Sequence, residues 1–171
     1  MAVSYGYTPI IRFNEDFIIG DISQDTIYQY SKNKTLTPIL VKTPSIYSQD
    51  PQMMVIPEFK TPKLFFLERT ERKFNFETKE GFEREKIVYD YQSGLFYKYA
   101  LKNKDYPNQI FYLNSGGYAY RTGKNILCQV ISAEELIEAN DEGELHGTLK
   151  DITKTLRIDD NPVLMIMKFR E

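Results

Sequence analysis

The chain has 171 residues, 42% of them hydrophobic and 27% charged, a balance that fits a folded domain and not a disordered one. Twenty-two Lys and Arg stand against 24 Asp and Glu, and the net charge of −2 gives no overall pull toward nucleic acid or an anionic membrane. One cysteine, Cys128, and one histidine, His146, exclude an internal disulfide framework, a Cys-rich zinc site and a His-rich metal centre. No apolar run approaches the roughly 20 residues of a membrane span.

The segment Met1-Ala2-Val3-Ser4-Tyr5-Gly6-Tyr7 has neither a basic n-region nor an apolar h-region, and is not a signal peptide. Read as it stands, the chain belongs in the cytoplasm. Read as the C-terminal part of a longer exported protein, it belongs in the periplasm or at the cell surface. A single cysteine suits either compartment.

Tyr occurs 13 times and Phe 11 times, with no Trp, a usage that favours strands. The first strand-sized run is residues 8–13, followed by the polar turn Asn14-Glu15-Asp16. Residues 17–21, 26–30 and 36–41 continue the series with short polar links, which predicts a four-stranded antiparallel meander. Pro38 puts the fourth strand on an edge. The pattern repeats over residues 53–59, 64–68, 86–91 and 95–99. Ile27-Tyr28-Gln29-Tyr30 parallels Val88-Tyr89-Asp90-Tyr91. A third unit has strands at 118–121, 126–131 and 163–169 and no fourth, with residues 110–113 as a further short strand in the connection.

Helical signals lie between the last two strands. Ser132-Ala133-Glu134-Glu135 is a capping box, in which the Ser hydroxyl accepts from the Glu135 N–H. Leu145, Leu149, Ile152 and Leu156 recur at helical spacing, and Asp160-Asn161-Pro162 stops any helix before the final strand.

Meanders repeated at this spacing are the signature of β-propeller blades, although a β-sandwich or barrel also uses many short strands. The matched hairpins and the missing last strand favour the propeller. The expected fold is all-β: a partial β-propeller of about three four-stranded antiparallel blades, approximately residues 8–42, 53–101 and 118–169. These form one domain over residues 1–171, with a short helical insertion near the C-terminus. Closed propellers have about 4–8 blades, which makes this half of a ring.

Two runs carry a resemblance: residues 125–136, Asn-Ile-Leu-Cys-Gln-Val-Ile-Ser-Ala-Glu-Glu-Leu, and residues 159–169, Asp-Asp-Asn-Pro-Val-Leu-Met-Ile-Met-Lys-Phe. With the repeated strands around Tyr28 and Tyr89, they resemble the C-terminal half of the six-bladed, NHL-like β-propeller proteins abundant in Bacteroidetes. In that group a Ser-Ala-x-x-Leu helix start precedes a closing Asn-Pro-Val-Leu strand. Its members are commonly lipoproteins or exported proteins, and no catalytic motif defines them. The resemblance therefore implies an exported or surface-associated binding module. The chain departs from the group in lacking its N-terminal blades and export signal.

Strand alternation separates the links into two sets. Links one-to-two and three-to-four emerge on one face and are short, around Asn14, Ser31, Lys60, Gln92 and Thr122. The other face takes nearly all the long segments, residues 42–52, 70–85, 102–117 and 132–161. Long insertions on one face mark the binding face of a repeat protein. The expected site residues on that face are Tyr47, Phe74, Phe76, Tyr106 and Asn114, and the ligand is a protein, a peptide or a glycan. Nucleic acid is not expected: Arg72, Lys73, Lys79 and Arg84 interleave with Phe74, Phe76 and Phe82, but Glu71, Glu77, Glu80, Glu83 and Glu85 repel phosphates.

No catalytic residue, metal ligand or cofactor is assigned. His146 has no Ser or Cys partner at a recognisable spacing, Cys128 reads as a small buried hydrophobe, and Asp159-Asp160-Asn161 reads as a turn. The pairs Tyr28/Tyr30, Tyr89/Tyr91, Tyr97/Tyr99 and Tyr118/Tyr120 each share a strand face and read as inter-blade packing. The primary expectation is a non-catalytic binding or scaffolding module. The alternatives are half of a metal-dependent lactonase or lyase, with Asp21, Asn114 and Asn125 reaching a central channel, and a homodimer that completes the ring.

Overall fold

In a computed structural model of the chain, residues 6–113, 119–123 and 126–169 are described. The contacts divide the chain into two compact units, one up to Tyr99 and one from Ala100 onward, where a single domain was expected.

The first unit holds two antiparallel meanders. Strands β1 (Ile10–Phe13), β2 (Asp16–Ile19), β3 (Thr26–Tyr30) and β4 (Leu36–Val41) pair in sequence order. The β1–β2 turn is tight, and Asn14 takes it with φ +55°, a left-handed conformation that Asn tolerates. β4 lies on an edge, where the missing N–H of Pro38 does least harm, and the ladder bulges beside it at Ile27/Tyr28. The second sheet contains β5 (Met53–Lys60), β6 (Leu64–Glu71), β9 (Arg84–Asp90) and β10 (Leu95–Lys98), again in meander order. Its middle link carries a small hairpin, β7 (Phe74–Asn75) and β8 (Glu80–Gly81).

The two sheets share a core. Ile11, Ile18 and Ile27 of the first pack with Phe65 and Leu67 of the second, all within 2% of full burial. β1 lies against β5, so the sheets approach along their first strands. At the other end a groove of about 790 Å³ opens between β4 and the outer part of the second sheet, where Tyr89, Tyr91, Phe96 and Tyr97 line it. Tyr89 packs edge-on against Tyr91 at 5.0 Å and tilted against Phe96 at 4.9 Å, so these rings spend much of their surface on one another.

The reverse face of the second sheet is also buried and holds charge. Glu58, Glu68 and Lys86 sit there, with Lys86 Nζ 2.5 Å from Glu58 Oε1 and 2.6 Å from Glu68 Oε2. The Tyr99 hydroxyl donates to Glu58 Oε2 at 3.0 Å, and its ring meets Phe66 edge-on at 5.1 Å. Burial pushes the Glu58 carboxyl above its ordinary range, with Lys86 and Tyr99 opposing that shift and Glu68 adding to it. Tyr97 and Tyr99, read as a packing pair, divide these roles: Tyr97 is exposed, and Tyr99 joins the buried ion cluster.

The second unit begins with a hairpin, β11 (Leu101–Asn103) and β12 (Tyr106–Phe111), longer than the short strand expected at 110–113. Leu101 therefore lies outside the second sheet, although the second blade was expected to reach it. Strands β13 (Ala119–Gly123) and β14 (Ile126–Ile131) pair, and β14 pairs with β15 (Val163–Lys168). Tyr118, expected to open this sheet, lies outside the described residues. Helices α1 (Ala133–Asp141) and α2 (Gly147–Thr153) form the link between β14 and β15. The Ser132 side chain caps α1, accepting from the Glu135 N–H at 3.1 Å. Leu136, Leu145 and Leu149 join Tyr106, Phe111 and Ile131 in the core of this unit. Cys128 is buried as a small hydrophobe, and Asp160 closes the expected turn by accepting from the Arg157 N–H.

The elements are strands in antiparallel sheets plus two short helices, which is the expected all-β class. The sheets are open among the described residues.

Candidate functional site

The long links of the first unit converge. After β2 the chain turns through Asp21 to Asp25, a short link that emerges on the long-link face. The Asp21 carboxylate accepts from both the hydroxyl and the N–H of Ser23, and these bonds hold its pKa below the ordinary range. Asp25 joins this link to the next one. Its carboxylate accepts from the Ile46 N–H at 2.7 Å and its carbonyl accepts from the Lys42 N–H at 2.8 Å. The bond from Ile46 is the main cause of a lowered Asp25 pKa.

Asp25 thus anchors a short 3-10 turn, Ile46–Ser48, which Ser45 caps through the Tyr47 N–H. Ile46 points inward and is buried, while Tyr47 stands out at 71% exposure. The third link comes in from the other side. The Arg72 N–H donates to the Gln52 carbonyl at 2.8 Å, and Arg72 Nη1 donates to Gln52 Oε1 at 2.9 Å. At the return of the small hairpin, Phe82 takes φ +55°, a left-handed conformation that is uncommon for an aromatic residue, with its N–H donating to the Lys73 carbonyl.

Together these segments enclose a cleft of about 370 Å³. Ile46, Tyr47, Met54 and Phe82 give it apolar walls, and Gln52 and Arg72 supply polar atoms. It has no carboxylate in its lining. It can take an apolar side chain and place a negative group beside Arg72.

Of the residues expected at the site, Tyr47 lines the cleft. Phe74 lies behind it, packed on Phe82 at 5.9 Å and edge-on to Phe76 at 5.1 Å, and Phe76 is exposed at 58%. Tyr106 is elsewhere: it is 6% exposed in the core of the second unit, 6.2 Å from Phe111, because the segment read as a loop is a hairpin whose β12 turns that ring inward. Asn114 lies outside the described residues, as does Asn125. Arg72, Gln52 and Phe82 complete the cleft and were not singled out as site residues; their hydrogen bonds across links carry no signal in sequence spacing.

Lys42 lies close to Asp25 and Asp21, half-buried, and desolvation lowers its pKa while the two carboxylates oppose that shift. Among the described residues no group of three or more His, Cys, Asp or Glu is placed to hold a metal ion. His146 is exposed at the start of α2, where its N–H donates to the Asp105 carbonyl. Among the described residues no helix is long and apolar enough to cross a membrane.

No protein-family model matches the chain, and no curated protein matches it. Among solved structures, the crystal structure of a "putative exported protein" from Bacteroides fragilis is similar, with a TM-score of 0.56 and 13% identity. The match covers 94% of this chain and 49% of that one, so this chain spans about half the length of the Bacteroides protein. At that identity the two share a fold.

Proposed function

We propose that the chain is a non-catalytic binding module built from propeller-type blades, and that it docks a segment of a partner protein in the cleft of the long links. The reading rests on one observation: three links separated in sequence, one carrying Ile22 and Ser23, one Tyr47, and one Arg72 and Phe82, meet around a single cleft. Tyr and Arg are, with Trp, the side chains enriched at energetic centres of protein interfaces. Mostly apolar walls with few polar atoms suit a peptide side chain better than a sugar, whose many hydroxyls need many partners. Phe82 holds an unfavourable backbone conformation at the cleft, a kind of strain that clusters at functional sites.

The propeller reading is supported by the way the first two sheets meet. Neighbouring blades approach at their first strands and spread at their fourth, and here β1 lies against β5 while a groove separates β4 from the outer second sheet. The exported description of the Bacteroides protein and the resemblance of the C-terminal runs together favour a periplasmic or surface location.

Panning a random peptide library against the purified chain tests this function. Enriched peptides should carry an aromatic or large aliphatic residue next to Asp or Glu. Tyr47→Ala and Arg72→Gln should each weaken their binding by about tenfold or more. Enrichment that is indifferent to both substitutions, or binding on a glycan array with no enriched peptide, would contradict it.

A further inference from the structure

The second unit carries a different opening. A groove of about 460 Å³ runs between β11 and β15. It is lined by Leu101 to Lys104, along and just past β11, by Met165 to Phe169, along and just past β15, and by Phe111 of β12. Successive side chains of a strand point to opposite faces, so both sets line one groove only where it follows the strand edge. β15 is an edge strand: its ladder partner is β14, and no further strand pairs with it among the described residues. β11 likewise pairs with β12 alone. The two edges are tied at one point, where Asn103 Nδ2 meets Met165 Sδ at 3.4 Å.

Both meanders of the first unit have four strands, and the β13–β14–β15 sheet has three. Of the two edges of that sheet, the groove runs along β15. The exposed side of β15 is apolar, with Leu164 at 61% and Ile166 at 67%, and it is followed on the same face by Lys168. Lys102, Lys104 and Lys168 line the groove, and no Asp or Glu does. None of these three lysines forms an ion pair among the described residues.

We propose that β15 accepts an extended acidic peptide segment of another protein as a fourth, antiparallel strand. Backbone groups of the β15 edge supply the hydrogen bonds, and a strand added to an open edge needs no rearrangement of the sheet. Alternation sets the sequence of the occupant: apolar residues on one face, to cover Leu164 and Ile166 or the Met165 side, and Asp or Glu positioned for the three lysines. This site is in the other unit from the cleft of Tyr47, and either can fail without the other.

The test uses the full chain with short capped peptides, one alternating Val and Glu and one alternating Val and Lys. The Val/Glu peptide should bind, bind less tightly as salt is raised, and slow amide hydrogen exchange across Val163–Lys168. The triple variant Lys102→Glu, Lys104→Glu, Lys168→Glu changes exposed residues only, and it should lose about tenfold in affinity for Val/Glu and gain affinity for Val/Lys. Three results would overturn the proposal: equal binding of both peptides to the native chain, binding with no added protection of β15, or protection of β15 without peptide in a protein whose mass has doubled. The last would assign the edge to a second copy.

Discussion

Gly20 lies directly against Pro57: a Cβ at position 20 would come within 2.6 Å of the proline Cδ. The contact joins the end of β2 to β5, where the two sheets of the first unit press together. Proline is a rigid ring and cannot swing aside as a long side chain would. Gly20→Ala should therefore destabilise the first unit by about 1–3 kcal/mol, as overpacking does. Urea denaturation reads this directly. Gly6, with open space around it, is the control, and Gly6→Ala should leave the midpoint unchanged.

The Glu58–Lys86–Glu68 cluster makes a second prediction. Lys86 neutralises two buried carboxylates, and Lys86→Met should cost about 3–5 kcal/mol by leaving them without that cation. The pH dependence follows from the raised pKa of Glu58. Above the ordinary glutamate range the folded chain holds this proton more tightly than the unfolded one. Stability from Glu58 is thus present at low pH and is lost as pH rises through its folded pKa. Glu58→Gln should remove that decline, so its stability relative to the native chain improves with pH across the same window. A native-minus-variant difference that rises with pH would contradict the placement of Glu58.

Asp25 makes a positioning prediction. It does not itself line the cleft, but its carboxylate holds the N–H of Ile46, which does, and so the turn that carries Tyr47. Asp25→Ala should weaken peptide binding through Tyr47 and should speed amide exchange at Ile46. Because the Asp25 pKa is lowered by that same bond, the ordering it provides is present above the ordinary aspartate range and is lost as pH falls through its folded value. Binding that weakens on acidification in the native chain and not in Asp25→Ala is the expected pattern.

In the second unit, Asp105 ties the β11–β12 turn to the start of α2. Its carbonyl accepts from the His146 N–H at 2.8 Å, and its carboxylate lies 2.6 Å from where a Cβ on Gly147 would stand. Gly147 also has φ +53°. Gly147→Ala is disfavoured on both counts and should destabilise this unit by about 1–3 kcal/mol, with Ser132→Ala costing about 1 kcal/mol through loss of the α1 cap. Thermal unfolding followed by circular dichroism would rank the two.

The strands were legible where hydrophobic pattern and turn residues agree. β3 and β4 match their expected bounds because Ile27, Tyr28 and Ile39–Val41 stand between plainly polar links. The pattern failed where charges are paired across strands. Glu58 and Glu68 look like surface residues until Lys86, distant in sequence, is seen to neutralise both. The small hairpin β7–β8 is hidden for a similar reason, since its Lys and Glu residues read as a solvated loop. For the cleft, strand alternation indicated which end of the sheets to inspect, and Tyr47 follows from it. Arg72 and Phe82 depend on a side chain–amide bond and a left-handed backbone, neither of which has a periodic signature.

Docking of a partner segment in the cleft of the long links can be followed residue by residue. Titrating an enriched peptide into isotopically labelled protein and following backbone amide shifts by NMR tests it most directly. Shifts should concentrate at Ile22, Ser23, Ile46, Tyr47, Gln52, Arg72 and Phe82 and disappear in Tyr47→Ala. Shifts centred on Tyr89, Tyr91 and Phe96 in the outer groove, with the cleft unmoved, would contradict it.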